Sequence, residues 1–305
     1  MSNNVPASVR QRLTNRAKET DRPFQELLQY FAMERFLYRL TRSRHADKFV
    51  LKGALMFTIW GGPSSRPTKD IDFLVRMDNA VEAVVAVIRD VCREIVEADG
   101  LVFHPESVAG EAIKEDADYS GVRVTFLVSL QTARVTMQID MGFGDVVTPA
   151  AVEYPVLLDF PAPQLLGYPR ETVVAEKFEA MTKLGLLNSR MKDFFDLWVL
   201  HRQFAFDGVT LATAIHRTFS HRKTTIVAHP KALTTTFGGD ATKQTQWQGF
   251  LRKTRLDDVP RSLQSVIDDL APFLVPVARA VETESTFDQF WIAPGPWRSS
   301  LSTES

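Results

Sequence analysis

Apolar positions recur at helical spacing near the start of the chain. In "FQELLQYFAMERFLYRL", Leu27, Leu28, Phe31, Met33, Phe36, Leu37 and Leu40 fall about three and four apart, and the pattern from Pro6 to Arg42 predicts helix. "DRPFQE" supplies a start signal, with Asp21 as cap and Pro23 in the first turn. The period then shortens. "KFVL" reads as a strand ended by Gly53, "ALMFTIW" as a short apolar helix, and "GGPSSRPTK" as a loop. "DIDFLV" alternates as a strand, "VEAVVAVIRDVCREIVEA" is an amphipathic helix, and the β-rich runs "GVRVTFLVSL" and "ARVTMQIDMGF" form a hairpin.

"VVTPAAVEYPVLLDFPAPQLLGYP", residues 146–169, holds five prolines and reads as a linker. The pattern beyond it is helical in "RETVVAEKFEAMTKLG", "SRMKDFFDLWVLHRQF", "TLATAIHRTF" and "VPRSLQSVIDDLAPFLVPVARAV". The predicted organisation is an N-terminal helical segment (1–46), a mixed α/β core (47–150), a proline-rich linker (151–168), a helical domain (169–290) and a loose tail (291–305). The fold class is α/β plus α.

A chain of 305 residues with 45% hydrophobic content can bury a sizeable core, and a net charge of −1 selects no partner. The charge is unevenly spread. Residues 1–50 carry ten Lys/Arg against five Asp/Glu, and no acid lies between Gly208 and Gly239. That acid-free stretch holds Arg217, Arg222, Lys223 and Lys231 with His216, His221 and His229. It suits a polyanion, or is one solvated basic face. The single cysteine, Cys92, lies in an apolar helical pattern and fits a reducing compartment as a small buried thiol. No secretory or membrane-spanning run is evident, so the chain is expected to be cytoplasmic.

The candidate chemistry lies in the carboxylates. On a strand Asp70 and Asp72 share one face while Ile71 and Phe73 take the other. Two carboxylates so close repel unless a cation neutralises them, and Mg²⁺, a hard oxygen-seeking ion, is the natural one. The bland alternative is a pair of solvated strand-end aspartates. In "RVTMQIDMGF", Val135, Met137, Ile139 and Met141 form the apolar face, which leaves Asp140 opposite. If that strand lies beside "DIDFLV", Asp140 comes level with Asp70 and Asp72, and three carboxylates can hold two Mg²⁺. Gly53 before a helix start would let a phosphate approach backbone N–H groups. Strand, glycine, helix, D-x-D, hairpin and aspartate follow in the order of the polymerase β-like nucleotidyltransferase core.

With "ERFLYRLTRS", "FVLKGALMF", "RPTKDIDFLV", "QIDMGFGD", "YPRETVVAEKFEAM" and "NSRMKDFFDL", the chain resembles the AbiEii/AbiGii-type toxin nucleotidyltransferases, which include MenT-like toxins, from about Val9 to Leu200. The resemblance implies a polymerase β-like core with Asp70, Asp72 and Asp140 as metal ligands and Lys52, Gly53, Ala54, Arg66 and Thr68 as nucleotide-binding positions. Ala54 stands where relatives carry Gly or Ser. Lys177 and Asp193 match catalytic positions of the second half. For Lys177, set in a stripe with Val173, Ala180 and Leu184, the alternative is a lysine covering apolar surface. Lys192 and Asp196 are spaced as a surface ion pair. Arg66 could bind phosphate or neutralise the carboxylates. Thr68 lies where some relatives have a serine phosphorylated by an antitoxin kinase, or is a plain loop residue.

The expected activity is Mg²⁺-dependent transfer of a nucleotide from a nucleoside triphosphate to an RNA acceptor, the tRNA 3′ end. It would block translation, under restraint by a cognate antitoxin protein. Arg217, Arg222 and Lys223 are the expected RNA contacts. Transfer to a protein or small-molecule hydroxyl, and a non-catalytic nucleotide-binding module, are the rival readings.

Overall fold

The computed structural model describes residues 4–61, 67–116, 119–254, 256 and 258–299. The chain divides into two compact units, one running up to Tyr168 and the other from Pro169 onward, with Val146–Thr148 counted to the second.

The first unit is a seven-stranded mixed sheet with helices. Its strands are β1 (Phe49–Lys52), β2 (Asp70–Val75), β3 (Val102–Asp116), β4 (Tyr119–Leu130), β5 (Ala133–Phe143), β6 (Ala150–Glu153) and β7 (Gln164–Gly167), in the order β3-β4-β5-β2-β1-β7-β6. β2 runs antiparallel to β1 and parallel to β5. The helices are α1 (Val5–Thr20), α2 (Phe24–Arg42), α3 (Leu55–Ile59) and α4 (Val81–Arg93).

Alternation puts Phe49, Leu51, Ile71, Phe73, Met137, Ile139 and Met141 on one side of the sheet. There they join Leu13 of α1, Phe31 and Phe36 of α2, and Val84 and Ile88 of α4 in one core. Cys92 is a free thiol buried in this core, and burial pushes its pKa up to about 12.

Several expectations change here. Asp21 does not cap α2. It closes α1 in a left-handed conformation at φ +52°, and Pro23 stands at the start of α2 without a side-chain cap. α2 also buries three of its charged residues, Glu34, Arg35 and Arg39. Arg35 and Arg39 both reach the buried Asp99, Arg35 also donates to Pro161 O at 2.8 Å, and Glu34 accepts from Leu157 N at 2.7 Å. The expected linker contributes two strands, β6 and β7. Its prolines lie outside them, where no ladder N–H is needed. β3 has no counterpart in the sequence reading.

The second unit contains α5 (Arg170–Leu184), α6 (Met191–Gln203), α7 (Gly208–His221), α8 (Thr235–Gly238), α9 (Ala241–Thr254) and α10 (Leu263–Glu282). A small sheet of β8 (Phe206–Asp207), β9 (Gln289–Trp291) and β10 (Trp297–Ser299) accompanies them. The tail is therefore built in as far as Ser299. Trp297 stacks on Phe273 at 5.7 Å, and Trp291 Nε1 donates to His201 O at 2.6 Å. Among the described residues no helix is long and apolar enough to cross a membrane.

Candidate active site

Strand register assembles the first unit's charged row. Cα partners run from Lys52 on β1 to Asp72 on β2, from Asp72 to Asp140 on β5, and from Asp140 to Arg123 on β4. Partnered residues share a face, so two carboxylates stand side by side with a cation on each flank. Asp70, one pleat along β2, completes a triad with one oxygen of each carboxylate within 4.8 Å of the others. Three hard anionic oxygens fit a hard divalent cation. The expected levelling of Asp140 with Asp70 and Asp72 follows from the parallel β2–β5 pairing.

The surroundings of each carboxylate differ. Asp70 accepts a short hydrogen bond from the Thr68 hydroxyl, and Thr68 N donates to Tyr30 Oη at 3.1 Å. Thr68 is buried in the irregular segment before β2, where its hydroxyl supports Asp70. Gly53 ends β1 at φ +73°, and a Cβ there would overlap the Asp72 carboxylate and lie 2.8 Å from Asp72 Cβ. Glycine is required on both counts: the backbone region and the space. Ala54 is buried at the start of α3, whose five residues give little macrodipole. Arg66 lies outside the described residues.

Asp140 carries a partner that the sequence reading missed. Arg123 donates from Nε to Oδ1 at 2.8 Å and from Nη2 to Oδ2 at 2.7 Å, a bidentate fork. Gln138 Nε2 lies 3.2 and 3.3 Å from the same two oxygens. The Asp140 bond holds the Arg123 guanidinium further toward its charged form. Arg123 thus neutralises the Asp140 carboxylate.

In the second unit Lys177 is not a lysine lying over apolar surface. Its Nζ lies 2.7 Å from Asp193 Oδ1 and 2.8 Å from Asp196 Oδ2, and Arg190 Nε lies 2.7 Å from Asp193 Oδ2. Both aspartates are buried. Burial raises the Asp193 carboxyl, but Lys177 and Arg190 outweigh it and bring it to about 2. The expected surface pair of Lys192 with Asp196 does not form, because Asp196 points inward to Lys177 while Lys192 is exposed.

The basic segment is also partly inward. Arg217, Lys223 and Lys231 are exposed, whereas Arg222 is mostly buried and meets Glu179 at 3.0 Å and Glu176 at 3.6 Å. Arg222 is thus a structural counter-ion to a buried glutamate, not a surface cation.

A family model described as "Nucleotidyl transferase AbiEii toxin, Type IV TA system" matches residues 35–277. The chain belongs to the AbiEii nucleotidyltransferase toxin family. It is thereby a nucleotidyltransferase of a toxin–antitoxin family, and membership implies a nucleotide substrate and a cognate antitoxin. Two solved structures from Helicobacter pylori are similar to it at 16% identity. JHP933 has a TM-score of 0.46, with 85% of this chain and 93% of that chain covered. The other, described as a candidate nucleotidyltransferase, has a TM-score of 0.42, with 85% and 96% covered. No curated protein matches the chain.

Proposed function

We propose that this AbiEii protein uses Mg²⁺ held by Asp70, Asp72 and Asp140 to transfer a nucleotide from a nucleoside triphosphate to an RNA, the tRNA 3′ end. The observation that carries the reading is the convergence of three carboxylates from two adjacent strands beside a glycine turn that admits no side chain. Bound Mg²⁺ would supply charge stabilisation for the attacking hydroxyl and the departing pyrophosphate. The chain's own part is to hold the carboxylates: Thr68 fixes Asp70, Gly53 leaves room for Asp72, and the β2–β5 register sets Asp140. Lys177 and Asp193 are proposed catalytic residues on the family pattern, with Lys177 also neutralising Asp193 and Asp196. The RNA acceptor is favoured by the exposed cations Arg217, Lys223 and Lys231 in a segment without acids.

The test is incubation with total RNA, Mg²⁺ and each α-labelled triphosphate in turn. Label should enter RNA of tRNA size, and Asp70→Asn or Asp72→Asn should abolish it without unfolding the protein. Label appearing only on protein or small molecules would remove the RNA acceptor.

A further inference from the structure

Asp140 lies between two opposed neighbours. On one side β2 presents Asp72 at the same register, and on the other β4 presents Arg123. A carboxylate offers about four lone-pair directions. Here the Arg123 fork and the Gln138 amide occupy both oxygens. A cation that joins Asp70 and Asp72 to this carboxylate must share oxygens that these donors already hold. Arg123 has somewhere else to go. Its side chain is 35% exposed against 12% for Asp140, and its Cα partner on the outer side is the exposed Glu111.

We propose that Arg123 and a divalent cation compete for the Asp140 carboxylate, so that Arg123 is a tethered counter-ion that metal binding displaces toward Glu111. The charge arithmetic favours such a device. Three carboxylates within 4.8 Å repel strongly, and a guanidinium on one of them relieves that repulsion. A doubly charged ion among the three does the same, which makes the guanidinium redundant at Asp140. Arg123 is then a positioning residue that sets metal affinity, and Asp140 is a ligand the site can engage or withhold. The inference rests on the metal reading above.

The opposite role is that Arg123 permanently aims Asp140, leaving the ion to Asp70 and Asp72. Mn²⁺ titration of the full chain without nucleotide, followed by electron paramagnetic resonance, separates the two. Competition predicts that Arg123→Met binds Mn²⁺ about tenfold more tightly than the parent, the scale of one charge-assisted bond. The gain should vanish in Arg123→Met/Asp140→Asn, which should match Asp140→Asn alone. Arg123→Lys, which keeps the charge but not the fork, should fall between. The rise in melting temperature on adding Mn²⁺ should be larger for Arg123→Met than for the parent, a second readout should that variant be less stable. Unchanged or weaker Mn²⁺ binding by Arg123→Met overturns the competition. If the parent then still binds Mn²⁺ and Asp72→Asn, titrated alongside, does not, only this inference falls. If neither protein binds Mn²⁺, the metal reading falls with it.

Discussion

Gly53 sits at φ +73°, and the space a side chain would use is filled by the Asp72 carboxylate. Gly53→Ala therefore meets strain twice, in the backbone and against a metal-ligand candidate. It should destabilise the protein by about 1–3 kcal/mol and weaken Mn²⁺ binding, because Asp72 must turn away to make room. Chemical denaturation and metal titration of one preparation check this, and a stable variant with unaltered binding would show that the turn relaxes freely. The two aspartates of "DIDFLV" were legible in the sequence because a period of two needs no tertiary information. Arg123 was not. Its partnership with Asp140 depends on the hairpin closing through Gln131 and Thr132, with Leu130 opposite Ala133. Once that turn is located, the register carries Arg123 to Asp140, so the signal was present but hidden in a connection length.

Most helices announced themselves by their apolar spacing, though α8 and the largely polar α9 did not, and which of their charges lie inside was not readable. Lys177 on α5 shows the consequence. As a cover for apolar surface it could be replaced by methionine at no cost, but it neutralises two buried carboxylates from α6. Lys177→Met should cost about 3–5 kcal/mol, the penalty of leaving a buried ion pair half-made. Its acid limb should also change. The Asp193 carboxyl is depressed from 3.8 to about 2, so its contribution is complete above about pH 4 and is lost as pH falls toward 2. In Lys177→Met that loss should be shallower, as urea melts at pH 2–5 would record. Glu34 on α2 behaves in the opposite sense. Burial raises its pKa from 4.5 to about 7, against the Leu157 N–H and Arg35, which lower it. The unfolded chain ionises first, so stability is fullest below pH 4.5 and declines as pH rises through 7. Glu34→Gln can keep the bond from Leu157 and does not titrate. Its stability should stay flat between pH 5 and 8 while the parent loses up to a few kcal/mol; parallel curves would assign the decline to other groups. The strands of 146–169 were missed because prolines were counted without their positions, and β3 because its Pro105 and scattered charges obscure the alternation around an irregularity between His104 and Ala109.

At the scale of the molecule, a net charge of −1 says nothing about a polyanionic acceptor, and only the acid-free stretch 208–239 points to one. The structure refines which of its cations can meet a phosphate. Arg217 and Lys223 face solvent, while Arg222 is committed to Glu179 and Glu176. These side chains should separate in two assays. Each phosphate contact releases counterions, so the logarithm of the RNA binding constant falls linearly with that of salt concentration. Replacing both Arg217 and Lys223 by Gln should reduce that slope by roughly 1.4 to 1.8, at about 0.7–0.9 per contact. The melting temperature should barely move, since both side chains are exposed. Arg222→Gln should do the reverse, leaving the slope alone and costing a few kcal/mol of stability because the buried Glu179 loses its counter-charge. Binding isotherms with tRNA at several salt concentrations, set beside thermal melts of the same variants, decide the matter. A double variant with the parent's slope would take this face out of RNA recognition. An Arg222 variant that lowers the slope without losing stability would mean that its glutamate pairing yields to phosphate.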